Sequence, residues 1–192
     1  MDADHVPRYY TIASKDDEAL LRSPADRVSF PLSDEDIEDI KVLEAKFDSE
    51  ENCSGLAAPQ IGISKAFMVF STPSDESFRK FRLDWTDSMP KTIWVNPSYE
   101  GIEDEGMNFD YEGCFSVPDM AGMVKRYKKI RYKAFDIKGC QIEGVCEGFL
   151  ARIIQHETDH LNGILYTDIA EEGSVMSLDA YRKMRADALS SE

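Results

Sequence analysis

The chain has 192 residues, with 22 Lys and Arg against 37 Asp and Glu, a formal net charge of -15 and 42% hydrophobic residues. That length suits one domain spanning residues 1–192 with a sizeable core, and the negative balance argues against direct nucleic-acid binding, which needs basic patches to offset phosphates. No apolar run of about 18 residues offers a membrane span, and Met1-Asp2-Ala3-Asp4 resembles neither a signal peptide nor a transit peptide, so a cytoplasmic protein is expected, with Cys53, Cys114, Cys140 and Cys146 kept reduced.

Taken in chain order, His5 lies in a polar N-terminal stretch and reads as solvated. Ser33 with Asp36 forms a capping-box-like start to a helix whose apolar side carries Ile37, Ile40, Leu43 and Phe47. The dense acidic charge from Ser33 to Glu51 reads as the solvated face of that helix. Ala66 to Phe70 and Thr92 to Val95 read as strands, each ended by a proline-containing turn at Pro73 and Pro97. Ser74 to Pro90 reads as a surface hairpin or loop, with Phe78, Phe81, Leu83 and Trp85 folding back on the sheet. Val124 to Ile137 is strand-rich and broken at Lys138-Gly139, with a second arm from Gln141 to Val145. A helix follows from Gly148, and Ser177 to Leu189 forms a terminal helix. Strands and helices in this order predict an α+β fold rather than a parallel doubly wound sheet.

The helix after Gly148 carries the most informative residues. Phe149, Leu150, Ile153, Ile154 and Leu161 recur at helical spacing and predict a helix packed into a core. On it stands His156-Glu157-Thr158-Asp159-His160, in the pattern H-E-x-x-H. Residues i and i+4 share a helix face, so both imidazoles can reach one metal ion, and Glu157 can act as a base toward a water. Histidines on a buried helix need partners, and a metal supplies both at once. For a third ligand, Tyr166 stands where a metzincin would place its third histidine. Glu171 and Glu172 sit in a turn. Cys114, in Glu112-Gly113-Cys114-Phe115-Ser116, is the better candidate.

With Gly55-Leu56-Ala57-Ala58-Pro59-Gln60, three motifs stand in order: G-L-A-A-P-Q, E-G-C-x-S and Q-H-E-x-D-H-L-x-G. Together they resemble the peptide deformylases, over about Ser54 to Asp168. The resemblance implies antiparallel β-sheets wrapped around the H-E-x-x-H helix. It implies one divalent metal on Cys114, His156 and His160: Fe2+ in the cell, with Zn2+, Ni2+ or Co2+ possible in purified protein. It also implies hydrolytic removal of the formyl group from N-formyl-methionyl nascent chains, with release of formate. Glu157 would move the proton, and the Gln60 side chain and the Phe115 backbone N–H would stabilise the oxyanion. The peptide would lie along Ser54 and Gly55 on one side and Gly113 on the other, with the methionine side chain against Phe149 and Ile153. Glu112 and Asp159 are candidates for orienting the imidazoles.

The chain departs from the family pattern at Asn52 and Cys53. An acidic residue commonly precedes the glycine that Cys53 replaces, and pairs with an arginine that Arg126 matches. Either Glu51 substitutes for it or that salt bridge is absent. Phe115 replaces a leucine, and no arginine stands near Ala121-Gly122. Arg182, Lys183 and Arg185 are mixed with acids, so no ribosome contact is claimed. A zincin-type endopeptidase and a non-catalytic metal-binding member of the same fold are the alternatives.

Overall fold

The computed structural model describes residues 6–75, 82, 84–86 and 88–189; His5, Phe78, Phe81 and Leu83 lie outside them. Two helices lead the chain, α1 (Lys15–Leu21) and α2 (Asp34–Ser49). The start of α2 follows from two side chains. Ser33 Oγ accepts from the Asp36 N–H at 3.1 Å, and the Asp36 carboxylate accepts from the Ser33 N–H at 2.9 Å. This capping box satisfies two N–H groups that a helix start leaves without partners. Ile40, Leu43 and Phe47 are buried as the periodicity predicts. Ile37 is not: in the first turn, it is 42% exposed.

A five-stranded sheet follows, ordered β1-β2-β3-β6-β7 from β1 (Gly55–Ala57), β2 (Phe67–Thr72), β3 (Met89–Gly101), β6 (Lys129–Phe135) and β7 (Gln141–Glu147). A second sheet, ordered β4-β5-β8, holds β4 (Met107–Cys114), β5 (Val117–Tyr127) and β8 (Met176–Ser177). Every pairing between these strands is antiparallel. β1 and β4 are both edge strands.

The strands run longer than their apolar runs predict. Pro97 does not end a strand; β3 starts at Met89, inside the Ser74 to Pro90 segment, and continues to Gly101. Its register against β6 shifts between Val95 and Ser98, so the missing proline N–H falls at an irregularity in the ladder. Asn96, at φ 51, braces that point. Its side chain accepts from the Val28 N–H at 3.0 Å and donates to the Val28 carbonyl at 2.8 Å. The predicted run from Val124 to Ile137 is two strands, β5 and β6, in different sheets. Trp85 is buried.

α3 (Gly148–Leu161) lies against both sheets, followed by α4 (Tyr166–Ile169) and α5 (Leu178–Leu189). Leu150, Ala151, Ile153 and Ile154 pack against Met68, Phe70 and Trp94 of the large sheet. A second apolar cluster joins α2 to the other face of β2 through Leu43, Phe47, Phe67 and Val69. Gln155 ties the helix to the strands, donating to the Tyr127 carbonyl and accepting from its N–H, both at 3.0 Å. At the exit, Gly163 has φ +74, and a side chain there would meet the Arg22 backbone. The antiparallel sheets packed around a histidine-bearing helix are the α+β architecture expected.

The Lys65 ammonium, 2.9 Å from Asp36, and the Ser33 hydroxyl hold the Asp36 carboxyl down at about 2. Its ionised form therefore adds stability that is full above about pH 4 and lost as pH falls toward 2. Asp36→Asn is expected to lower stability near neutrality by about 1 kcal/mol. It should also shrink the loss between pH 4 and pH 2, read from denaturation midpoints across that range. An unchanged acid limb would place that loss on other carboxylates.

Candidate metal centre

Two turns of α3 and one β-turn bring the predicted ligands together. Cys114 Sγ lies 3.2 Å from His160 Nε2, which lies 3.2 Å from His156 Nε2. Among the described residues this is the one group of three or more acidic, histidine or cysteine side chains close enough to share a metal. Nitrogen ligands at 2.0–2.1 Å around a tetrahedral ion stand about 3.3–3.4 Å apart, so the spacing fits. Glu171 and Glu172 are exposed and outside the cluster, and Cys114 is the third side chain placed to share an ion with the two histidines. Burial works against a thiolate at Cys114, but the charge of His160 and hydrogen bonds from both histidines hold the thiol well below its usual range. The Gln60 Nε2 at 3.3 Å and the Ser116 N–H at 3.4 Å point at the same sulfur. A deprotonated sulfur is what a divalent ion requires.

Glu112 orients His156. Its Oε2 lies 2.8 Å from His156 Nδ1, which makes Nδ1 the protonated nitrogen and turns Nε2 toward the cluster. The carboxylate is itself clamped by two arginines. Arg126 reaches both oxygens at 3.0 Å, and Arg152 reaches Oε1 at 2.7 Å. Burial opposes the charge on Glu112, yet His156 and Arg126 keep its carboxyl far below the ordinary range. Asp159, the second residue expected to orient an imidazole, makes no hydrogen bond to either ring; it binds Arg126 and accepts from Tyr99 Oη at 3.4 Å. Nor does Glu51 take the place of the family's acidic partner for Arg126. Glu51 is exposed, and Arg126 pairs instead with Glu112 and Asp159.

Arg152 was not singled out by sequence reasoning, although the signal was present. It stands four residues before His156, a charged side chain within an apolar helical run. It is buried, and it also donates to the carbonyls of Asn108 and Val124.

Glu157 is 4% exposed, and its Oε2 has no hydrogen-bond partner among the described residues. Burial raises its carboxyl to about 7 against the lowering effect of His156 and His160. A side chain at Gly55 would run into the Glu157 carboxyl, so the glycine serves the close approach of β1 to this residue. Gln60 is held in its helical turn by a 2.8 Å bond from the Ala57 N–H to Oε1, which fixes the amide nitrogen toward Cys114.

These groups open into a cavity of about 260 Å³. Ser54, Gly55, Gln60, Gly113, Phe115, Phe149 and Ile153, all named from the sequence, line it with Cys114, His156 and Glu157. Asn52 and Cys53 form part of its rim, Asn52 at φ 62, a conformation that asparagine tolerates. Cys53 Sγ lies 3.1 Å from the Gly55 carbonyl, and burial pushes its thiol up to about 12, so it is a neutral donor. Two arginines also line the cavity: Arg152 and Arg82, whose guanidinium stacks 4.3 Å over the Phe149 ring.

Residues 10–174 match the family model described as polypeptide deformylase. The chain is 48% identical over 191 residues to peptide deformylase 2 of Rickettsia conorii, covering 97% of this chain and 94% of that one. It is 39% identical over 127 residues to peptide deformylase 2 of Ralstonia nicotianae, covering 65% and 68% of the two chains. Among solved structures, it resembles a class I type b peptide deformylase from Acinetobacter baumannii bound to Met-Ala-Ser, at 32% identity and a TM-score of 0.70 over 86% of this chain and 98% of that one. A Synechococcus elongatus peptide deformylase in complex with actinonin matches at 31% identity and a TM-score of 0.70, covering 89% of this chain and 82% of that one.

Two substitutions test the geometry. Glu112→Gln is expected to weaken metal affinity by about 10–100-fold, measured by competition with a chelator. Gly55→Ala should leave metal content intact and lower kcat by about 100-fold, because the added methyl displaces Glu157. Wild-type kcat in Gly55→Ala would show that β1 yields instead.

Proposed function

The chain belongs to the polypeptide deformylase family, and from that premise we propose a role for each group in its cleft. It is a metal-dependent enzyme that hydrolyses the formyl amide at the N-formyl-methionine of nascent chains. One observation carries the assignment of roles. The buried carboxyl of Glu157, whose Oε2 has no hydrogen-bond partner among the described residues, stands beside three candidate metal ligands at a cavity bounded by two edge strands.

Cys114, His156 and His160 would hold the metal. When bound, the ion supplies Lewis acidity and brings the pKa of a water toward neutrality. We assign Fe2+ in the cell, with Zn2+, Ni2+ and Co2+ accepted by the same donor set in purified protein. Glu157 takes the proton that the attacking water gives up and passes it to the departing amine. Gln60 and the Phe115 N–H donate to the carbonyl oxygen as it gains negative charge. The fixed amide of Gln60, aimed at Cys114, and the place of Phe115 beside that ligand support the pair.

The open edges of β1 and β4 suit an extended peptide. Ser54 and Gly55 would bond its backbone on one side and Gly113 on the other, adding a strand between the two sheets. The methionine side chain would enter between Phe149 and Ile153, over a wall that includes the stems of Arg82 and Arg152. The A. baumannii enzyme's Met-Ala-Ser ligand makes formyl-Met-Ala-Ser a suitable probe for this chain. We read residues 1–192 as one catalytic domain acting in the cytoplasm, where nascent chains begin.

The test is formate release from formyl-Met-Ala-Ser by protein purified without oxygen and loaded with Fe2+ or Ni2+. Glu157→Ala is expected to keep its metal and lose about 10²–10⁴-fold in kcat. Cys114→Ala should lose the metal itself, which elemental analysis reads directly. No turnover by metal-loaded wild-type protein would leave the non-catalytic reading, and direct attention to Asn52 and Cys53.

A further inference from the structure

The two proposed oxyanion donors come from turns distant in sequence, and a third segment touches both. The Tyr10 N–H donates to the Gln60 carbonyl at 2.8 Å, and the Ile12 N–H donates to the Ser116 carbonyl at 3.0 Å. Between them the N-terminal segment bridges the helical turn that carries Gln60 and the β4–β5 turn that carries Phe115. Just before them, the Tyr9 ring lies flat on the Phe115 ring, with centroids 4.6 Å apart and planes at 5°. The Lys46 ammonium of α2 sits 4.1 Å from the same Tyr9 ring. Phe115 is 38% exposed, and the Tyr9 ring covers one of its faces.

The segment is fixed at its own ends. Arg8 grips Asp17 with two bonds of 2.6 and 2.8 Å, and the Thr11 N–H reaches the same carboxylate at 3.3 Å. The Tyr10 ring fills the space beside Gly62, where a side chain would collide with it. Tyr9 packs on the α2–β2 cluster, and Tyr10 and Ile12 pack on the cluster around Val117. The backbone of Gln60 is thus tied to that of Ser116 through one short, anchored stretch of chain.

Hydrogen-bond donors stabilise developing charge only when held in place beforehand. We infer that Arg8–Ile12, with Tyr9 as its key side chain, is a positioning element that sets the spacing of the Gln60 amide and the Phe115 N–H. This rests on the donor roles proposed above for those two groups. Tyr9 itself is a positioning residue: it acts on the reaction through Phe115.

The test compares Tyr9→Ala, Tyr9→Phe and Gln60→Ala in metal-loaded protein with formyl-Met-Ala-Ser. Tyr9→Ala should lower kcat by about 10–100-fold, with KM and bound metal changed by less than about twofold. Tyr9→Phe keeps the ring and should stay within about twofold of wild type. In 15N spectra of the zinc-loaded protein, the Phe115 and Gln60 side-chain amide resonances should move in Tyr9→Ala and stay in place in Tyr9→Phe. Wild-type kcat in Tyr9→Ala, beside a severe loss in Gln60→Ala, overturns the positioning role and leaves the donor reading standing. Wild-type kcat in Gln60→Ala overturns the donor reading, and the positioning role falls with it. A kcat loss in Tyr9→Ala that disappears at lower assay temperature marks simple unfolding and also overturns the inference. If Tyr9→Ala does not fold, Tyr9→Leu is judged by the same kcat and resonance criteria.

Discussion

The Glu112 carboxylate joins the two halves of this structure. It sits on β4, is almost fully withdrawn from water, and binds Arg126 of β5, Arg152 of α3 and the imidazole of His156. Burying such a charge is expensive unless partners and hydrogen bonds surround it. Here two arginines face two acids, because Arg126 also holds Asp159. The balanced group locks the small sheet onto the central helix. It also presents a permanently ionised acceptor to His156 Nδ1, which leaves Nε2 as the nitrogen turned toward His160 and Cys114. Fold closure and ligand orientation therefore rest on one side chain.

The cleft follows from the sheet topology. Neither sheet closes on itself, and the edge strands β1 and β4 flank the entrance while α3 forms the floor. An unpaired edge is ordinarily a liability, since it invites pairing with another chain. In this architecture the outer edges of β1 and β4 border the cleft, which suits the proposed recognition of main chain more than of sequence. The approach of β1 to Glu157 at Gly55 places that buried carboxyl, the proposed proton carrier, beside β1.

What could be read from the sequence was local in origin. The capping box at Ser33 and Asp36, the apolar stripe of α3 and the i, i+4 histidines all act within a few residues, so spacing alone reveals them. The strand through Pro97 was hidden because its irregularity is repaired by Val28, a residue far away along the chain. Ile37 fitted the helical period and is nevertheless exposed, since a period says which face a residue shares and not how far the neighbouring sheet extends. The partners of Arg126 lie on β4 and α3, and no spacing rule connects them. The three-motif resemblance supplied Gln60 and Phe115 and strengthened Cys114, none of which composition or periodicity would have selected.

The helix α3 carries a double duty. Along its 14 residues, Leu150, Ile153, Ile154 and Leu161 are buried in the packing, while Arg152, His156, Glu157 and His160 build the proposed reaction centre. The two sets alternate around one rigid rod, so a rotation of a few degrees made to accommodate a bulkier core residue would carry the imidazoles with it. Such a protein has no inert scaffold that can be strengthened separately from its catalyst. Drift in the interior is read out as drift in reactivity, and selection acting on either is selection on both.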